Sequence, residues 1–147
     1  MPTVSRLVAA AGFAALAWLA SMMVEPTVPG GIRAQWFPAI DAGLGGVLGW
    51  RILGRSAGRG PVAGVGAAIS TAAAIYAAAC AVWAIQQTLR AALRLRYDGP
   101  GEAAEAALRR AVDFAALGAR WDVMALLILG SVAIGVLSDL TAERRRE

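Results

Sequence analysis

The chain has 147 residues, of which 59% are hydrophobic and 16% are charged, with a net charge of +4, no histidine and one cysteine. Soluble domains usually carry ~25% charged residues, and here the charges form short blocks between apolar runs that match the thickness of a bilayer. The composition therefore predicts an integral membrane protein. It excludes an intrachain disulfide, a Cys/His metal site, a Ser-His-Asp triad and a haem held by histidine.

The first apolar run, about residues 4–24, predicts a transmembrane helix. A cleaved signal peptide is the alternative, because Arg6 forms a short basic region and the Ala-Leu-Ala sequence at 15–17 resembles a cleavage site. The apolar run continues beyond that site as far as Val24, which favours a span that stays in the mature protein.

A second apolar run, about residues 36–53, predicts a second span. This segment is only just long enough to cross a bilayer, so a re-entrant hairpin is the alternative. Small residues four positions apart let another helix approach closely, and they predict a homo-oligomer or a contact with another membrane protein. These residues are Ala42, Gly45, Gly46 and Gly49.

Four charged residues in and after this segment are candidate contacts for an ion or an oxyanion. Asp41 lies inside the apolar run, where an ionisable group is a functional candidate, although the start of a helix also suits an acidic residue. Arg51, Arg55 and Arg59 follow in a Gly-rich loop. The loop lacks the Lys-Ser/Thr of a phosphate-binding loop, and a positively charged cytoplasmic loop is the ordinary alternative.

A third apolar run, about residues 62–88, is longer than a bilayer requires and should tilt or project beyond it. Its single thiol, Cys80, is expected to be inert packing. The sequence RYDGP then stops one helix and starts another. Three residues of that turn, Arg96, Tyr97 and Asp98, are candidate contacts for a partner or for lipid headgroups.

Residues 100–117 predict an amphipathic helix with a narrow charged stripe, which should lie in the membrane interface or pack on the bundle. Residues 121–140 predict the last span. The predicted fold is therefore all-α, a single membrane domain over 1–147 with four transmembrane helices and one interfacial helix before the last span. The early arginines favour cytoplasmic termini.

Several short sequences carry a resemblance to a known family. They are MPT and RLVAA at the start, FAALAWLAS in the first span, GWR at 49–51 followed by AGRG, and RYDGP followed by EA at 96–103. In order and spacing the chain resembles the TrgA family, small tellurium-resistance membrane proteins of alphaproteobacteria. The resemblance implies a place in the bacterial cytoplasmic membrane and a role linked to tellurite tolerance. It implies no catalytic residues.

These observations favour a non-enzymatic membrane protein without a cofactor. The arginines flank apolar runs, so they indicate orientation and contact with the lipid bilayer rather than with nucleic acid. One alternative is a structural or assembly partner of another membrane protein. Another is a subunit of a small oligomeric transporter or channel.

Overall fold

A computed structural model of the chain describes residues 4–24, 37–56, 61–94 and 99–143. These residues fold into helices and contain no strand, which confirms the all-α prediction for the described part of the chain. We number five helices in chain order: α1 (Val4–Val24), α2 (from Phe37 to Ser56), α3 (Pro61–Ala92), α4 (Pro100–Gly118) and α5 (Trp121–Glu143).

Three of these helices are long and apolar enough to cross a membrane. The segments that meet this condition are Val4–Val24, Val62–Ala92 and Trp121–Thr141. They correspond to the first, third and last spans expected from the sequence. The protein is thus a helical bundle of the membrane type, with three helices whose length and composition suit a bilayer.

Helix α2 changes its helix type along its length. It is α-helical over Phe37–Leu48, passes through a π-helical turn at Gly49–Leu53 and closes with one more α-helical turn at Gly54–Ser56. A π turn holds more residues per turn than an α-helix, and such turns occur often at functional sites. Here the turn comes at the end of α2 that carries Arg51.

Helices α1 and α2 pack closely because two glycines of α2 face α1. A Cβ atom on Gly49 would lie 2.8 Å from the Ala9 carbonyl oxygen, and one on Gly45 would overlap the Phe13 carbonyl. Only a residue without a side chain permits this approach. The small-residue face that predicts a helix contact is therefore occupied here by α1 of the same chain.

Helix α3 is the longest, and it contacts α5 with its first half and α4 with its second half. Near its start Gly64 lies against Asp139 at the end of α5, so the two helices are antiparallel. Further along, the Arg110 guanidinium of α4 donates a hydrogen bond to Thr88 Oγ1 at 2.9 Å. Helix α3 thus extends past the start of α5, and α4 folds back along the extension.

Helix α4 covers the amphipathic segment expected at 100–117. Its apolar side, which includes the buried Phe114, faces α3, whereas Glu105 and Arg109 form an exposed ion pair at 2.6 Å. The helix packs on the bundle, which is one of the two placements that its charged stripe predicts.

The buried side chains form two clusters. The larger lies between α1, α3 and α5 and includes Phe13, Ile75 and Val123. The smaller contains Phe37, Trp83, Ala84 and Phe114, where α2, α3 and α4 meet. The candidate site lies beside this smaller cluster, near the last turns of α1 and the first turns of α2.

Candidate functional site: a pocket around Asp41

The carboxylate of Asp41 is the centre of the site. The side chain is buried, and each of its oxygens accepts one hydrogen bond. Ser21 Oγ of α1 donates to Oδ2 at 2.5 Å, and Trp83 Nε1 of α3 donates to Oδ1 at 3.0 Å. One side chain of α2 is therefore bonded to two other helices.

The local sequence explains why Asp41 points inward. Phe37 and Asp41 are four residues apart, so they lie on the same face of α2. Phe37 packs on the ring of Trp83 with centroids 4.2 Å apart and an interplanar angle of 31°. The Trp83 indole is thus held by Phe37 at its ring and by Asp41 at its N–H.

A cavity of about 80 Å³ lies beside the carboxylate, and all five helices contribute to its walls. Aromatic side chains form much of the lining, namely Phe37, Tyr76, Trp83 and Phe114. Most of the remaining lining is aliphatic. Among the described residues that line the cavity, Asp41 alone is ionic.

Helix α4 closes one side of the cavity because it approaches Tyr76 closely. Tyr76 Oη donates a hydrogen bond to the Ala115 carbonyl oxygen at 2.5 Å. A Cβ atom on Gly118 would lie 2.8 Å from Tyr76 Cε2, so a larger residue there would displace the ring. Gly118 and Tyr76 together fix the end of α4 against α3.

Cys80 also lines the cavity, on the same helix as Tyr76 and Trp83. Its side chain is half-buried, so the residue is not fully enclosed in the core. Its sequence surroundings, alanine on both sides, predict only inert packing. The thiol is therefore a natural reporter of whether the cavity is occupied.

The other candidate ion contacts do not join Asp41. Arg51 and Arg55 are exposed at the opposite end of α2. Ten residues of helix separate Asp41 from Arg51, which is ~15 Å along the axis. Arg59 lies outside the described residues. So do the candidate partner contacts Arg96, Tyr97 and Asp98, which the structure therefore leaves as predictions.

Two residues of the site, Ser21 and Trp83, are missed by sequence reasoning. Trp83 leaves a usable signal, because the indole N–H of a buried tryptophan usually finds an acceptor. Asp41 is the acidic residue inside the neighbouring apolar segment, so the two could have been paired on chemistry. Ser21 gives no comparable signal, since serine is common in membrane helices.

The polar side chains that line the pocket determine which kinds of ligand it can bind. Within the described ranges, no three His, Cys, Asp or Glu side chains come together as they would to hold a metal ion. The polar groups at the cavity are one carboxylate and the neutral groups of Ser21, Tyr76, Cys80 and Trp83. This arrangement suits noncovalent binding of a small group that is positively charged or that donates hydrogen bonds.

No protein-family model, no curated protein and no solved structure matches the chain. The class of protein is therefore defined by the fold and the site. It is a helical protein of the membrane type with a carboxylate held in an aromatic pocket between its helices.

Proposed function

We propose that the chain is a non-enzymatic inner-membrane protein that contributes to tellurite or oxyanion tolerance, and that the Asp41 pocket is the part on which this tolerance depends. The first half of the proposal is supported by the resemblance to tellurium-resistance proteins, which covers nearly the full length and is most specific at RYDGP. The second half is supported by the position of Asp41.

The single observation that carries the role of the pocket is that Asp41 is buried while bonded to two other helices. A carboxylate is expensive to place among membrane helices. Apolar residues of similar volume generally pack at least as well as a buried charge. A purely structural contact between α1, α2 and α3 would not need a carboxylate beside a cavity.

Helix α2 is, in this proposal, the fourth span. It runs antiparallel to α1 over most of the length of α1, from the Ser21–Asp41 bond at one end to the Arg6–Gly54 bond at the other. In the latter, Arg6 Nε donates to the Gly54 carbonyl oxygen at 3.1 Å. A helix that matches a membrane-length neighbour from end to end crosses the same depth.

Cytoplasmic termini complete the proposed topology. Arg6, Arg51 and Arg55 then lie at the cytoplasmic face, as arginines of short loops usually do. The Asp41 pocket lies near the opposite face. In this arrangement the exposed guanidinium groups of Arg51 and Arg55 supply a second contact, separate from the Asp41 pocket, because guanidinium binds planar and tetrahedral oxyanions well.

The experiment is a tellurite survival curve for three strains of the host bacterium: the wild type, a deletion strain and the deletion strain complemented with the intact gene. The proposal expects the deletion strain to die at lower tellurite concentrations and the complemented strain to recover. Unchanged sensitivity of the deletion strain would contradict the proposal.

A further inference from the structure

We propose that the Asp41 pocket binds a small methylated ammonium group, carried either by a free amine or by a lipid headgroup. This inference names a ligand class for the pocket. It does not depend on tellurite tolerance, because the cavity and the carboxyl group of Asp41 are properties of the fold.

The charge of an ionised Asp41 favours a cationic ligand. Both hydrogen bonds to Asp41 come from neutral groups, the Ser21 hydroxyl and the Trp83 indole. No arginine is among the described residues that line the cavity. The negative charge of an ionised Asp41 is therefore not balanced within the described lining, and a bound cation would balance it.

The walls of the cavity select the kind of cation. A hard metal ion takes at least six oxygen ligands, whereas the lining is mostly aromatic and aliphatic. Aromatic faces attract ammonium groups through their quadrupoles, and aromatic cages bind methylated ammonium. Phe37, Tyr76 and Trp83 line the same cavity as the carboxylate of Asp41.

The size of the cavity limits the ligand to a small group. The cavity volume is about 80 Å³, roughly half that of a ~150 Å³ cavity that admits benzene. It therefore takes a group of a few non-hydrogen atoms. A methylated ammonium group fits this size, and the rest of a larger molecule would remain outside the cavity.

The test uses the thiol of Cys80 as a reporter, because it is the one cysteine of the chain and it lines the cavity. The full-length protein is placed in phosphatidylglycerol nanodiscs, and the rate of Cys80 modification by methyl methanethiosulfonate is measured. Trimethylammonium chloride is the probe. Isopropanol is its neutral analogue, and sodium chloride matches the ionic strength.

We expect trimethylammonium to slow the modification about tenfold when its concentration is about ten times the dissociation constant, since about nine-tenths of the sites are then filled. Isopropanol and sodium should have little effect. Asp41→Asn should abolish the protection, while the matched control Asp113→Asn, an exposed acid on α4, should keep it.

A second arm distinguishes the two sources of the ammonium group. If modification in phosphatidylcholine nanodiscs is already slow without added amine, the site takes a lipid headgroup. If it is slow only with trimethylammonium, the site takes a free amine. Equal protection by isopropanol, or no protection in either lipid, would overturn the proposal. These comparisons use the wild-type protein, so they remain valid even if the Asp41→Asn variant does not fold.

Discussion

The indole N–H of Trp83 donates to the carboxylate of Asp41 at 3.0 Å, and this bond joins two residues 42 positions apart in the chain. Both side chains are almost fully buried, with exposed fractions of 2% for Trp83 and 5% for Asp41. Ser21 donates to the other carboxylate oxygen. The relationship fixes the relative positions of α1, α2 and α3 at the end of the bundle that contains the cavity.

Replacing Asp41 by alanine should destabilise the protein. The change removes the acceptor of two buried donors, and each buried donor without a partner costs about 1–3 kcal/mol. Asp41→Asn should cost less, because the amide keeps one acceptor oxygen. Thermal unfolding in a mild detergent measures both. An Asp41→Ala protein as stable as the wild type would contradict the hydrogen bonds from Ser21 and Trp83 to Asp41.

Coupling between Asp41 and Trp83 can be isolated with a double-mutant cycle. Trp83→Phe keeps an aromatic ring against Phe37 and removes the donor. If the hydrogen bond is formed, the effects of Trp83→Phe and Asp41→Ala on the free energy of unfolding should be non-additive by about 0.5–3 kcal/mol. Additive effects would show that Trp83 and Asp41 stabilise the fold independently.

Alanine at Gly49 should weaken the packing of α1 on α2. The added Cβ would lie 2.8 Å from the Ala9 carbonyl oxygen, and overpacking of this kind costs about 1–3 kcal/mol. The matched control is Gly43→Ala, where nothing lies within 4 Å of the added Cβ. Alanine there should be neutral or stabilising by up to about 1 kcal/mol through helix propensity. Equal effects at Gly43 and Gly49 would contradict the close approach.

Tyr76→Phe should loosen the end of α4. The change removes the hydrogen bond to the Ala115 carbonyl, with an expected loss of about 1 kcal/mol. Amide hydrogen exchange should therefore rise in the last turns of α4 and remain unchanged in α1 and α2. A uniform rise over the whole chain would indicate global destabilisation and would contradict a local role for Tyr76.

The proposed topology places the end of α2 and the start of α5 on opposite sides of the membrane. With Cys80 replaced by alanine, single cysteines at Arg55 and Arg120 can be tested with an impermeant thiol reagent on intact cells. Both positions are exposed at the surface of the bundle. A cysteine at Arg120 should be modified from outside and one at Arg55 only after lysis. Modification of the Arg55 position from outside would contradict the proposed topology.

The sequence predicts the helices well because their signals are local. Apolar length identifies α1, α3 and α5, and Pro100 with Gly118 marks the two ends of α4. The small-residue spacing at Gly45 and Gly49 indicates a close helix contact, which α1 of the same chain makes here. The spacing cannot tell whether the neighbouring helix belongs to the same chain, because the same spacing serves both. The homo-oligomer or partner contact stays a prediction.

The site was only partly predictable, for a physical reason. Asp41 is conspicuous because a charge in an apolar segment is costly. Its partners Ser21 and Trp83 lie on other helices, and their contact depends on how α1, α2 and α3 pack. Grouping Asp41 with Arg51 and Arg55 followed from nearness in sequence, whereas an α-helix separates residues ten apart by ~15 Å.

The central claim, that the Asp41 pocket carries the function, is tested most directly by tellurite survival of the deletion strain complemented with Asp41→Asn or with Asp113→Asn. Both variants lose one carboxylate, and membrane levels of each protein are measured in parallel. We predict that Asp113→Asn restores survival and that Asp41→Asn, at an equal level in the membrane, does not. Full restoration by Asp41→Asn would contradict the claim.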